Sequence, residues 1–173
     1  MRASTFWKAV TVDHANLLER FFSLLRTHGV PFCLIGGQGL NAYVEPVVSL
    51  DLDVVVAADR MEEVERLLDR EFALVHFPHS LNVSEPASDL RIQIQLDPRY
   101  APFVVRASMR EVLGMQVPVA AIDDILRGKI WAATDLSRRG SKRQKDLADI
   151  ARILEHYPEL RTTVPDDVLK RLV

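Results

Sequence analysis

Apolar residues recur at helical spacing over residues 13–27, where Leu17, Leu18, Phe21, Leu24 and Leu25 share a face and Gly29 follows as a stop. PFCLI at 31–35 predicts a short buried strand running straight into Gly36 and Gly37. Residues 38–44 (QGLNAYV) predict a short helix ended at Glu45-Pro46, because the residue before a proline is driven out of the helical region. SLDLDVVVA at 49–57 predicts the next strand, and Asp59 with Glu62 reads as a capping box for a helix over 60–72. Strand-like runs follow at 73–77 (ALVHF) and 89–96 (DLRIQIQL), the second in clean alternation, with Pro98 and Pro102 punctuating what comes after. REVLGMQVPVA at 110–120 predicts two short strands turning near Gly114. The last third is helical. One helix covers 121–136, and Ser141 with Gln144 reads as a second capping box for a helix over 142–157, striped by Leu147, Ile150, Ala151 and Leu154. Pro158 and Pro165 then bracket a tail with a final helical turn.

This order predicts an α/β fold: a mixed sheet flanked by helices, with a helical C-terminal cap. No linker, repeat or low-complexity stretch divides the chain. We therefore expect one domain over residues 1–173, with a core over about 30–120 and a helical part over about 121–173. Composition narrows the class further. A formal net charge of −2 carries no global pull towards nucleic acid or membrane. Cys33 is the only cysteine, which excludes an internal disulfide, and its apolar setting marks a core residue rather than a nucleophile. The first residues lack an apolar signal-peptide core, and no run of about 18 apolar residues occurs, so a cytoplasmic protein with no membrane partner is expected.

Candidate chemistry gathers between residues 34 and 56. Asp51 and Asp53 alternate with Leu52 and Val54, so both carboxylates lie on one face of a strand, side by side. Like charges so placed call for a cation between them. The bland reading, an exposed polar edge strand, fits poorly with the apolar VVVA that follows. Gly36 and Gly37 end the preceding strand, where glycine permits close backbone approach to an anion such as phosphate. Magnesium takes hard oxygen ligands, commonly one or two carboxylates plus substrate phosphates.

A strand, Gly36-Gly37, thirteen residues and then Asp51-Leu52-Asp53-Val54 resemble the minimal signature of the nucleotidyltransferase superfamily. DILRGK at 124–129 resembles an element of the AbiEii-type toxin group of that superfamily, and KRQKDLAD at 142–149 is similar to its basic-then-acidic helix start. The resemblance spans roughly residues 30–155. It implies a nucleotidyltransferase-like fold and transfer of a nucleotide from a nucleoside triphosphate, with Mg²⁺, to a hydroxyl of RNA (tRNA) or protein, in a toxin–antitoxin or defence setting. On the same resemblance Gly36, Gly37, Ser49, Lys145 and Asp146 would bind the nucleotide. Asp51 and Asp53 would ligate the metal, and these two with Lys129 would form the catalytic set.

Two features depart from the pattern. Val47 stands where the superfamily often has an arginine, with Ser49 in the neighbouring hydroxyl position. Gln93 and Gln95 stand where a third carboxylate usually completes the site, and an amide is neither charged nor a base. Asp89 and Asp97 are the candidate substitutes on that strand face. The glutamines support a second reading: a degenerate member that binds nucleotide or a partner protein without catalysis. Lys129 has its own alternative, a solvated residue paired with Asp123 or Asp124. The run RRGSKRQK at 138–145 opposes a helix dipole and so points to a polyanion, whereas Asp146 and Asp149, read as first-turn acids, would favour the dipole. His76 and His79 are too isolated for metal ligands, and Trp7 and Trp131 read as packing residues.

Overall fold

The computed structural model describes residues 16–172. Helix α1, Leu17–Thr27, buries Leu17, Leu18, Phe21, Phe22, Leu24 and Leu25 along one side. It stops at Gly29 (φ 61°), where the amides of Gly29 and Val30 turn back to the carbonyls of Arg26 and Leu25. Residues 13–15 of the expected helix, and Trp7, lie outside the described residues. Strand β1, Phe32–Ile35, is buried at every position and passes directly into α2, Gly36–Leu40. That helix was expected over 38–44. It starts at Gly36 itself, because the glycine φ of 64° turns the chain at the strand end, and it is over before Asn41.

Strand β2, Asp51–Val56, leads through a 3-10 turn, Ala58–Arg60, into α3, Met61–Asp69. The Asp59 capping box does not form. Asp59 is spent inside the 3-10 turn, and Arg60 instead bonds Glu63 at 2.7 Å. Strands β3 (Ala73–Phe77), β4 (Ser80–Ser84) and β5 (Arg91–Gln95) follow. β4 was not expected from the pattern, since SLNVS offers only two apolar residues. A 3-10 turn, Pro98–Tyr100, and α4, Phe103–Arg106, lead to β6 (Ser108–Val112) and β7 (Met115–Val119). The predicted hairpin turns at Leu113 and Gly114, with φ of 55° and 79°, the two left-handed residues of a type I′ turn.

Helix α5, Ile122–Thr134, and α6, Gly140–His156, pack on each other. The second capping box also fails. Ser141 already lies inside α6, whose start at Gly140 follows a turn in which Asp135 accepts from the Ser137 amide and hydroxyl. A 3-10 stretch, Pro158–Thr163, and α7, Asp166–Leu169, close the described chain. Among the described residues no helix is long and apolar enough to cross a membrane.

The sheet is mixed and seven-stranded, in the order β3-β4-β5-β2-β1-β7-β6. β2 is central, antiparallel to β1 and parallel to β5. Leu52, Val54, Ile92 and Ile94 alternate out of contact with water on one face, while Asp51, Asp53, Gln93 and Gln95 take the other. Cys33 is fully buried, and burial pushes its thiol up to about 12, in keeping with an inert core residue.

Ile92→Ala, at a fully buried centre of the sheet, is expected to cost about 2–5 kcal/mol in urea unfolding. Val105→Ala, at a side chain 87% exposed, should stay within about 0.5 kcal/mol of the parent.

Candidate active site

β1 and β2 run antiparallel with Ile35 opposite Asp53, so the chain leaves β1 beside that carboxylate. A Cβ built on Gly36 would stand 2.2 Å from Asp53 Oδ2. Glycine is therefore required twice over, by the positive φ and by the carboxyl packed against its backbone. At Gly37 a Cβ would meet nothing within 4 Å, which leaves this backbone open to a ligand. Both glycines line a cavity of about 250 Å³ together with Ser49, Asp51, Asp53, Gln93 and Lys129.

Asp53 carries a raised pKa. Burial is the main cause, Lys129 pulls it down, and the neighbouring Asp51 pushes it up again. Asp51 lies at the rim, with Arg91 Nε at 3.1 Å and Lys142 Nζ at 3.9 Å. Lys129 is 8% exposed and is not solvated. Neither Asp123 nor Asp124 holds it: its Nζ sits 2.7 Å from Asp149 and 3.2 Å from Asp146. Burial disfavours the ammonium, but the two carboxylates outweigh that cost and its pKa is raised. Asp124, itself buried, takes a two-pronged bond from Arg106 at 2.8 Å and another from Arg127 at 3.0 Å.

The dipole reading of Asp146 and Asp149 is corrected by this geometry. α6 begins at Gly140, so both acids lie beyond its first turn, and both are buried partners of Lys129. Arg138 Nε bonds Asp146 at 2.8 Å, and Arg152 bonds Asp149 at 2.9 Å. Arg138, Lys142 and Lys145 all line the cavity, facing the sheet carboxylates.

The structure thus brings together Gly36, Gly37, Ser49, Asp51, Asp53, Lys129, Lys145 and Asp146. It does not bring in Asp89 or Asp97. Asp97 caps the 3-10 turn and pairs with Arg99 at 2.7 Å, and Asp89 is exposed away from the cavity. Gln93 lies in register with Asp53, and Gln95 also lines the cavity. Val47 is exposed, its backbone clamped by the Asn41 side chain at 2.8 and 3.0 Å. Trp131 packs, stacked on Phe103 with centroids 5.9 Å apart, and His76 bonds Glu65. Sequence reasoning missed the Arg91–Asp51 pair, although the alternation of β5 already placed Arg91 on the face of Gln93.

A profile of the family described as nucleotidyl transferase AbiEii toxin, type IV TA system, matches residues 17–173. The chain belongs to the AbiEii nucleotidyl transferase toxin family. No curated protein sequence matches it. Its fold is that of nucleotidyltransferases. The crystal structure of ANT(2″)-Ia in complex with adenylyl-2″-tobramycin aligns with a TM-score of 0.63 at 11% identity, over 91% of this chain and 98% of that one. The lincomycin-bound lincosamide antibiotic adenylyltransferase LnuA aligns with a TM-score of 0.50 at 14% identity, over 83% and 99%. A nucleotidyltransferase-like structure from Thermotoga maritima aligns with a TM-score of 0.51 at 13% identity, over 84% and 92%. In this AbiEii-family chain the mixed sheet and flanking helices match the fold expected from the sequence.

Two outcomes follow from the geometry. Gly36→Ala should lose roughly 1–2 kcal/mol to its left-handed backbone alone, more as Asp53 is displaced, whereas Gly37→Ala should leave the melting temperature unchanged or higher. Asp53 has a folded pKa above its unfolded one, so its contribution to stability is present below the unfolded pKa and lost as pH rises through the folded pKa. Asp53→Asn should therefore melt higher than the parent at neutral pH and converge with it in acid, read by thermal melts across pH.

Proposed function

We propose that the chain binds a nucleoside triphosphate with Mg²⁺ in this cavity and transfers its nucleotidyl group to a hydroxyl of RNA, within a toxin–antitoxin or defence system. The observation that carries this reading is the pairing of two walls. Asp51 and Asp53 stand on β2 beside the open backbone of Gly37, and Arg138 from the turn before α6 faces them together with Lys142 and Lys145 of α6.

The donor set fits magnesium bound with its nucleotide. Among the described residues no group of three or more His, Cys, Asp or Glu forms a protein-only cage. Two aligned carboxylates, one of them pressed into the wall at Gly36, suit a cation whose remaining ligands are phosphates. Asp51 and Asp53 would hold it. When bound, the metal neutralises charge on the triphosphate and on the departing pyrophosphate.

The chain's own groups do the rest. Gly36, Gly37 and Ser49 accept the phosphates at the end of β1, and the α6 cations, Lys145 among them, neutralise their outer oxygens. Lys129 does not reach out as a free cation. Its charge is divided between Asp146 and Asp149, and it holds the Asp146 end of the pocket in place while softening the repulsion at Asp53. The acceptor oxygen forms a bond to the α-phosphorus as the bond to pyrophosphate breaks. The hydroxyl proton passes to a cavity carboxylate, since the Gln93 and Gln95 amides cannot take it. RNA is the favoured acceptor because Arg138, Lys142 and Lys145 line the cavity in a chain of net charge −2.

The test is to incubate the protein with each labelled nucleoside triphosphate, Mg²⁺ and total tRNA, beside an Asp51→Ala/Asp53→Ala control. Label on tRNA that disappears in the control is expected. Label on protein instead would reassign the acceptor. Metal-dependent nucleotide binding without transfer would establish the non-catalytic binder that Gln93 and Gln95 suggest, and absence of both would remove the site.

A further inference from the structure

The sheet face that carries Asp51 and Asp53 continues past the cavity. Asp53 is in register with Gln93, Gln93 with Asn82, and Asn82 with Val75. The neighbouring row runs from Val55 through Gln95 and Ser80 to Phe77. Residues directly opposite on paired strands share a face, so these rows form one surface across β5, β4 and β3. At strand spacings of about 4.7–4.9 Å, it reaches roughly 14 Å from Asp53 to the outer edge.

The two faces of this part of the sheet differ. On the reverse, Leu81, Val83, Ile92 and Ile94 are fully buried, and His76 of β3 bonds Glu65 of α3. On the cavity side, Val75 is 52% and Phe77 50% exposed, and the Arg91 side chain is 65% exposed at the lip. Next to the cavity this face carries the amides of Gln93, Gln95 and Asn82, and the Gln95 oxygen already accepts from the Asp97 amide at 3.1 Å. Asn82 Oδ1 is shielded from water yet has no hydrogen-bond partner. Arg91 bonds Asp51, so it joins this face to the reaction site.

We propose that this part-exposed face of β5, β4 and β3, open at Arg91, Val75 and Phe77, holds the unpaired 3′ end of the RNA acceptor, with a phosphate on Arg91, a base against Phe77 and the terminal hydroxyl delivered to the cavity. The inference rests on the nucleotidyl-transfer reading above and names where its acceptor lies. Its chemistry favours RNA over a polypeptide. Amides present donors and acceptors together, as base edges and ribose hydroxyls require. An exposed aromatic at the far edge gives a base a surface to stack on. The rows from Asp53 outwards carry no further acid, and Arg91 and Lys142 supply cations where the surface meets the cavity. The face joins the cavity at Gln93 and Gln95, which line the cavity and pair with Asn82 and Ser80 of β4.

The experiment measures binding of a 5′-labelled single-stranded RNA of about 12 nucleotides, with a free 3′ hydroxyl, by fluorescence anisotropy without nucleotide. Arg91→Gln and Phe77→Ser should each weaken binding about five- to tenfold, and Arg91→Gln should also reduce the salt slope by about one. Phe77→Trp should bind as the parent does, because a larger ring still stacks. Met109→Ser, at an exposed position on β6 at the opposite edge, should change nothing. Phe77 does not line the cavity, so Phe77→Ser should keep nucleotide binding, which confirms that the variant is folded. Parent-like RNA affinity in Arg91→Gln and Phe77→Ser, or no RNA binding by the parent, overturns the proposal. So does equal affinity for a blunt duplex, or displacement of the RNA by a peptide acceptor. If the parent still labels tRNA while these variants bind RNA normally, this surface alone is wrong. Loss of all tRNA labelling would instead remove the reading beneath it.

Discussion

Three buried charges hold the working half of the molecule together. Lys129 reaches from α5 between Asp146 and Asp149 of α6, and none of the three is more than 8% exposed. Ions taken out of water carry a penalty that only good geometry offsets. Here Arg138 and Arg152 complete the set from outside, so each carboxylate meets two cations. Arg152 also bonds the Glu45 carbonyl at 2.5 Å, tying α6 to the loop before β2. Removing one partner would strand the others, so the register of α6 on α5 is tightly determined. That register sets the position of Arg138, Lys142 and Lys145 over the sheet.

The cavity is thereby built from opposed charges. The sheet contributes Asp51 and Asp53, and α6 contributes cations that bond or approach them and their neighbours. Lys142 and Arg91 already lean towards Asp51, a partial neutralisation that a bound cation would take over. A ligand carrying both phosphate and a divalent metal would satisfy the two walls together. The raised pKa of Asp53 reflects the same arrangement, since its burial disfavours the charged form.

Much of this was legible locally. Period-two alternation placed Asp51 and Asp53 on one face and recognised β5. Apolar spacing located α1, α5 and α6, and the glycine in Leu113-Gly114 marked the β6–β7 turn. Both capping boxes failed because the helix start was displaced: a 3-10 turn takes up Asp59 before α3, and α6 begins at Gly140, ahead of Ser141. β4 escaped notice because two apolar residues make a weak pattern, and its pairing with β5 supplies what its composition lacks.

The sequence by itself determined which residues could do chemistry and on which side of a strand they lie, because side-chain direction along a strand or helix follows from backbone geometry between near neighbours. Only the tertiary structure decided their partners. Lys129 could have met Asp123 or Asp124, but helix packing gave it Asp146 and Asp149 and left Asp124 to Arg106. Asp97 could have joined the sheet carboxylates, but the chain turns after Gln95 and spends it on Arg99. Gln93 stands beside Asp53 because β5 pairs parallel to β2 in one register, and the packing of distant segments, not local periodicity, sets that choice.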